Sequence, residues 1–284
     1  MIGAPTAGTL TPSLADDVAA RIGAEQLYFL ADGIACDLML PDGVDRDDIL
    51  AVLDGEPLDV VVQEQDTRRK RVLLADMDST MIREECIDEL AAEAGVGAAV
   101  ARITAAAMRG EIDFEQSQRQ RVTLLEGLET AAIDRVLAQR IHPTSGGATL
   151  VATMKAHGAY CALVSGGYAA FTASVAAQLG FDEHRANVLE VAHGRLTGRV
   201  SEPILGADAK LAALHEIAAA RGVDAGDVMA VGDGANDLAM IEAAGSGVAL
   251  HAKPVVAATA RHRIDHGDLT ALLYMQGYRA HEFA

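Results

Sequence analysis

Four apolar residues, Val72-Leu73-Leu74-Ala75, run directly into Asp76-Met77-Asp78-Ser79-Thr80. A short apolar run bounded by polar residues reads as a strand buried on both faces. Such strands build parallel sheets covered by helices, and open sheets of that kind bind ligands at their carboxyl edge. Asp76 would stand at that edge. Two carboxylates two residues apart repel each other unless a cation lies between them or one is protonated. The pentapeptide suits Mg²⁺ and a carboxylate nucleophile. It equally suits a turn in which acids and hydroxyls cap a helix, and the rest of the chain has to separate the two readings.

Beyond residue 142 strands and helices alternate. Strands are expected at Tyr160–Val164, Val228–Val231, Ser246–Leu250 and Arg263–Ile264, with a short hairpin from Asn187–Val191 and Leu196–Val200. Helices fit Ala148–His157, Ala169–Leu179, Ala209–Arg221, Pro254–Ala260 and Asp268–Gln276. This alternation implies an α/β fold with a parallel sheet covered on both faces. Residues 83–142 interrupt it. Ile82, Cys86, Leu90 and Ala94 repeat at helical spacing before Gly95, and further helices fit Ala98–Met108, Phe114–Leu124 and Thr130–Arg140. A helical insert placed directly after the Asp76 loop reads as a lid.

The first 68 residues form their own pattern. An early strand near Thr6–Leu10, a helix at Pro12–Ile22, strands at Gln26–Leu30 and Ile34–Leu40, a helix at Asp45–Leu53 and a strand at Leu58–Val62 give a βαββαβ unit. That is a ferredoxin-like arrangement, similar in pattern to a shortened ACT-type domain. Glu64–Arg71 reads as a solvated linker to a second domain at 69–284.

The chain carries 23 Lys+Arg against 41 Asp+Glu, a formal net charge of −18. Nucleic-acid binding needs a cationic footprint, so that class is excluded. A small anionic substrate is not, because the charge at one cleft can oppose the global sign. Cys36, Cys86 and Cys161 show no zinc spacing and read as buried thiols of a reducing compartment. The N-terminus lacks a basic stretch followed by an apolar one, and no apolar run reaches membrane-spanning length, so the expected location is cytoplasmic, with no membrane partner.

Three further motifs fall at strand or helix ends. Ser165-Gly166-Gly167 follows a strand and precedes a helix, where glycines and free N–H groups admit an anion; alone it is also an ordinary tight turn. Lys210 opens a helix, an end where cations are disfavoured. Gly232-Asp233-Gly234-Ala235-Asn236-Asp237 places two acids and an amide at a strand's edge, suited to a hard cation, without the EF-hand spacing.

In order, Asp-x-Asp-Ser-Thr, Ser-Gly-Gly, Lys and Gly-Asp-Gly-x-Asn-Asp resemble the haloacid dehalogenase superfamily of aspartyl-phosphate phosphatases. The resemblance is close to its phosphoserine phosphatases, and it spans Val72 to Gly277. It includes Glu84–Ala91, Ile103-Thr104, Ala107-Met108, Phe114–Ser117 and Arg119–Val122 of the insert, and Leu196-Thr197-Gly198 and Ala252-Lys253-Pro254 of the core. The turn at His142–Gly147 departs from the Pro-Gly or Glu-Gly of many members.

The resemblance implies a Rossmann-like core with a helical cap after its first strand. It implies Mg²⁺-dependent hydrolysis of phosphoserine through an aspartyl-phosphate, the last step of serine biosynthesis. Asp76 would be the nucleophile and Asp78 the acid and base. Mg²⁺ would be held by Asp76, the Asp78 backbone carbonyl and Asp233, with Asp237 orienting a metal-bound water or Lys210. Ser165, the Gly166 N–H, Lys210 and Asn236 would hold the phosphoryl group. Glu85 would pair with the substrate ammonium and Arg121 with its carboxylate, with Met108 and Phe114 as apolar lid contacts. By bare pattern, Glu85 reads as a first-turn helix acid, Arg121 as a solvated helix residue, and Met108 and Phe114 as helix core. A homodimer is compatible with the resemblance. Two alternatives stay open: a related phosphatase or phosphotransferase for another small amino-acid phosphate, and a slow phospho-acceptor of regulatory type. Asp78 argues against the latter, because an acceptor needs no proton shuttle two residues on.

Overall fold

A computed structural model describes residues 1–284. Its first helix starts where the sequence predicts. Thr11 Oγ1 accepts from the Leu14 N–H at 3.2 Å, Pro12 takes the first turn, and Gly23 ends the helix at φ 71°. This helix, α1 (Pro12–Ile22), lies between β1 (Ile2–Gly3) and β2 (Gln26–Ala31); β3 (Ala35–Met39), α2 (Arg46–Leu53) and β4 (Leu58–Asp59) follow. The strands pair antiparallel in the order β2-β3-β1-β4, a ferredoxin-like sheet. The strand expected near Thr6–Leu10 does not form. The chain turns at Ala4–Ala7 and at Gly8 (φ 58°), Leu10 makes only an isolated bridge to Gly33, and Ile2–Gly3 takes the pairing.

The second sheet begins with β5 (Val72–Ala75). Before β6 (Tyr160–Tyr168) come α3 (Cys86–Glu93), α4 (Gly97–Met108), α5 (Phe114–Thr123), α6 (Ala131–Gln139) and α7 (Gly147–Ala156). After it come α8 (Ala169–Leu179), β7 (Glu183–Asn187), β8 (Leu189–Ala192), β9 (Arg195–Val200), α9 (Ala207–Arg221) and β10 (Val228–Gly232). The chain continues with α10 (Leu238–Ala243), β11 (Ser246–Leu250), α11 (Pro254–Thr259), β12 (His262–Ile264) and α12 (Ala271–Met275).

Six strands pair parallel in the order β12-β11-β10-β5-β6-β7. Successive side chains point to opposite faces. Leu73, Leu163, Met229 and Val231 join one apolar cluster with Leu150, Phe171 and Leu272; Val72, Leu74, Val228 and Ala230 join another with Leu214, Ile241 and Val256. Helices therefore cover both faces, and the loops after β5, β6 and β10 share one edge. All three cysteines are buried and free, and no helix is long and apolar enough to cross a membrane.

Two expectations need correction. The polar run Glu183–Asn187 is a sixth core strand, and the hairpin is β8–β9. At the edge of the sheet β7 needs no continuous apolar run, so its sequence hid it. The β8–β9 hairpin leaves the core and props the cap: the Leu196 N–H donates to Leu128 O at 2.8 Å and the Gly127 N–H to Leu196 O at 2.9 Å. The 64–71 segment is exposed over most of its length, as a solvated connector would be, but its basic residues are anchored. Lys70 is buried and its Nζ donates to the carbonyls of Thr67 and Gly226, both at 2.7 Å. Arg68 pairs with Asp37 at 2.6 Å, and Arg69 stacks 4.1 Å from the Tyr278 ring centroid.

Asp59 at the end of β4 ties the two sheets together. Its buried carboxylate accepts from the N–H groups of Asp265, His266 and Gly267 at 2.7–3.2 Å, in the loop that leaves β12. Asp59→Ala strips three backbone donors of their acceptor, at about 1–3 kcal/mol each when buried. A fall in Tm of about 6 °C or more is the expected result in a thermal melt; an unchanged Tm would show that this carboxylate does not fasten the sheets.

Candidate active site

The Asp76 N–H donates to Val231 O at 3.0 Å, which fixes the carboxylate at the edge where β5 meets β10. The next five residues do not start a helix of ordinary pitch. Met77–Met81 form a wide turn with Ser79 in the left-handed region at φ 56°, and Ile82 is extended. The helix expected from Ile82 starts only at Cys86, because the loop folds back on that helix's first turn. The Ser79 N–H donates to Glu84 O at 3.2 Å, Ser79 Oγ donates to Glu85 Oε1 at 2.9 Å, and the Cys86 N–H donates to Asp78 Oδ1 at 3.3 Å.

Lys210, in the second turn of α9, is fully buried behind Asp76. Its Nζ lies 2.6 Å from Asp76 Oδ1 and 2.5 Å from Asp237 Oδ1. Burial pulls the ammonium down, but Asp76 and Asp237 outweigh it and hold it above the ordinary lysine range. Asp237 Oδ2 accepts from the N–H groups of Asp233 and Gly234 at 3.2 and 3.0 Å, so both of its oxygens are engaged. One ammonium cannot neutralise two carboxylates. Burial and then the charge of Asp237 push Asp76 well above the usual carboxylate range, against the pull of Lys210.

Asp78 is pushed up to about 7, first by burial and then by the charge of Glu85. A carboxyl poised there can give a proton and take one back near neutrality. Asp233 is raised by burial, and Lys253 opposes the shift from 3.1 Å; the same ammonium lies 3.8 Å from Glu85.

Asp76, Asp78, Glu85, Met108, Phe114, Arg121, Ser165, Gly166, Asp233 and Asn236 all line one cavity of about 910 Å³ between cap and core. Lys210 and Asp237 stand behind its wall. Ligand oxygens of Asp76, Asp233 and Asp237 lie within 4.8 Å of one another. Around them five carboxylates, Asp76, Asp78, Glu85, Asp233 and Asp237, face two ammonium groups, Lys210 and Lys253. This surplus of hard oxygen donors fits a divalent cation of the Mg²⁺ kind.

The Ser-Gly-Gly segment differs from the expectation of a tight turn before a helix. β6 runs on through it to Tyr168, with a register shift between Val164 and Tyr168, and α8 starts at Ala169. The Gly167 N–H donates to Ser165 Oγ at 2.9 Å. The Phe114 ring lies so close to Gly166 and Gly206 that a Cβ on either would come within 3.2 Å of it. Met108, in contrast, is 72% exposed at the rim and packs in no helix core.

Arg121 has a buried Nε without a hydrogen-bond partner, while its Nη2 donates to Gln118 Oε1 at 3.0 Å. Gln118, Tyr168, Asn187 and Lys253 were not identified as site residues from the sequence. Gln118 had a signal: it lies three residues before Arg121, on the same helix face. Lys253 stands in a matched segment, but nothing in the sequence aims it at Asp233.

The haloacid dehalogenase-like hydrolase family model matches residues 73–242. The phosphoserine phosphatase of Streptomyces coelicolor is 44% identical over 228 residues, 80% of this chain and 55% of that protein. The one from Streptococcus thermophilus is 45% identical over 200 residues, 70% of this chain and 93% of that protein. The crystal structure of a probable phosphoserine phosphatase from Vibrio cholerae, unliganded, superposes with a TM-score of 0.79 at 34% identity, covering 96% of this chain and 85% of that one. The chain thus spans little more than half of the Streptomyces coelicolor protein and nearly all of the Streptococcus thermophilus one. Matched by that family model over more than half of its length, this chain belongs to the haloacid dehalogenase-like hydrolase family.

Proposed function

We propose that this chain hydrolyses O-phospho-L-serine to L-serine and phosphate, with Asp76 as the nucleophile. Residues 1–68 are taken as a ferredoxin-like unit and 69–284 as the phosphatase domain, with its cap at 83–142. The observation that carries the substrate reading is Arg121. Arg121 lines one cavity with Asp76 and its Nε has no hydrogen-bond partner in the protein, so a cation stands beside the phosphoryl site for a second anionic group. Relatives named phosphoserine phosphatase support it.

In the first step an Asp76 oxygen bonds to phosphorus and the bond from phosphorus to the seryl oxygen breaks. Asp78 gives its proton to that oxygen. In the second step Asp78 takes a proton from water, whose oxygen bonds to phosphorus as the bond to Asp76 breaks. Dividing hydrolysis in this way is the use of a covalent intermediate. Lys210 holds Asp76 in place and balances charge behind it. Ser165, the Gly166 N–H, Lys210 and Asn236 bind phosphoryl oxygens. Glu85 meets the substrate ammonium and Arg121 its carboxylate, while the Phe114 ring and the Met108 side chain form apolar lid walls. Asp76, Asp233 and the Asp78 carbonyl are the proposed Mg²⁺ ligands, with Asp237 behind them fixing Lys210. Bound there, the cation would neutralise charge that gathers on the phosphoryl oxygens. The site of action is taken as the cytoplasm, at the step that releases free serine.

Asp76→Asn is expected to abolish phosphate release from phosphoserine, and turnover near the wild-type rate would end the covalent mechanism. Arg121→Ala should lower kcat/KM for phosphoserine about 30-fold or more, the worth of a desolvated charge pair. Hydrolysis of an aryl phosphate without a carboxylate should barely change. Equal losses on both substrates would make Arg121 structural.

Metal binding has its own readout. At a concentration about 100 times its dissociation constant, Mg²⁺ should add about 2.7 kcal/mol of stability. Calorimetry in Mg²⁺ and in EDTA measures that gain, and Asp233→Asn should erase it. The same gain in the variant would place the ion elsewhere.

A further inference from the structure

Gln118 is 2% exposed, and every polar contact it makes is specified. Its Nε2 donates to Gly166 O at 2.7 Å. Its Oε1 accepts from Arg121 Nη2 at 3.0 Å and from the Tyr168 hydroxyl at 3.2 Å. A guanidinium can only donate and a carbonyl can only accept, so one orientation of the amide satisfies both neighbours. Tyr168 is itself buried, and its hydroxyl has no other partner than Gln118.

The Gly166 carbonyl belongs to the peptide whose nitrogen is Gly167. That N–H donates to Ser165 Oγ at 2.9 Å, which leaves the hydroxyl proton of Ser165 free to point at a ligand. An unbroken line of hydrogen bonds therefore runs from Arg121 on the cap, through Gln118 and one peptide group, to Ser165 on the core. Asn187 Nδ2 makes a second bond to Gly166 O at 2.9 Å, independent of the cap.

Burying an amide is costly unless its bonds are made, and an apolar side chain would fill the same space without that demand. We propose that Gln118 is a positioning residue for substrate selection. It fixes the Arg121 guanidinium for the substrate carboxylate, with the Tyr168 hydroxyl steadying its oxygen. The inference rests on the reading that Arg121 binds the carboxylate.

The test compares Gln118→Leu, Gln118→Met and Tyr168→Phe on phosphoserine and on p-nitrophenyl phosphate, with a thermal melt for each. Losing the acceptor for a charged donor should raise KM for phosphoserine about 10-fold or more in both Gln118 variants. Their kcat should hold within about threefold, and so should kcat/KM for the aryl phosphate, because Asn187 still bonds Gly166 O. Tyr168→Phe keeps the bond between Gln118 and Arg121, so its KM should rise by about threefold or less, one neutral hydrogen bond. In an Arg121→Ala background, Gln118→Leu should add no further loss on phosphoserine.

Equal losses on both substrates in a folded Gln118 variant would overturn the proposal, and so would additive losses in the double variant. Should the leucine variant fail to fold, the methionine variant and the Tyr168→Phe comparison decide by the same criteria. Failure of the substrate reading shows separately, as equal losses on the two substrates in Arg121→Ala itself.

Discussion

Lys210 reaches from α9 to Asp76 at the end of β5 and to Asp237 beyond β10, at 2.6 and 2.5 Å, with 2% of its side chain exposed. Taking such charges out of water costs several kcal/mol per ion, recovered only in close geometry. The three elements therefore cannot drift apart without leaving a buried charge unpaired. The sheet order makes the contact available, because β5 and β10 are neighbours. The result is a carboxylate at the sheet edge oriented before any ligand arrives, which is the kind of preorganisation that lowers barriers. The same triad leaves the edge with an excess of negative charge, which suits a hard cation.

The groups proposed to select among phosphates stand on the other wall of the cavity. Glu85, Arg121 and Phe114 all stand on the cap, and the cap is bonded to the core at several points. The Phe114 ring closes on Gly166 and Gly206, where any larger residue would push it away. The β8–β9 hairpin bonds the loop between α5 and α6 from the core side. Gln118 adds a polar seam between the two. Chemistry on a sheet edge and recognition on an insert are thus joined by a few directional bonds, and each can change with limited effect on the other.

The buried strands were legible because each is a short apolar run ended by acids or glycines. Val72–Ala75 and Ser246–Leu250 lie where their sequence placed them. So do α1 with its Thr11 cap and α2 with its Asp45 cap, where a local hydrogen bond sets the boundary. The residues predicted to meet around Asp76 do share one cavity or its wall. What stayed hidden depended on distant partners. The edge strand Glu183–Asn187 carries no apolar run, and Lys70 looked like solvated charge until Gly226 O supplied an acceptor. Gln118 shares a helix face with Arg121, but its contacts to Gly166 O and Tyr168 exist only once β6 lies beneath it. Met108, expected as an apolar lid contact, lines the cavity at its open rim, and the alternative reading of it as helix core does not hold.

The Asp59 carboxylate binds backbone of the loop that leaves β12, the outermost strand of the core sheet. Ile2, Leu30, Ala31 and Ala35 also belong to the main apolar cluster of the core. The N-terminal unit is therefore a buttress against the sheet's far edge rather than an appendage. Truncation at Arg71 would uncover apolar surface and leave the end of β12 unsupported at once. A shortened enzyme of this kind would need new polar residues at those contacts to stay soluble. Exchange of backbone protons at Asp265–Gly267 would be the first sign of the missing support.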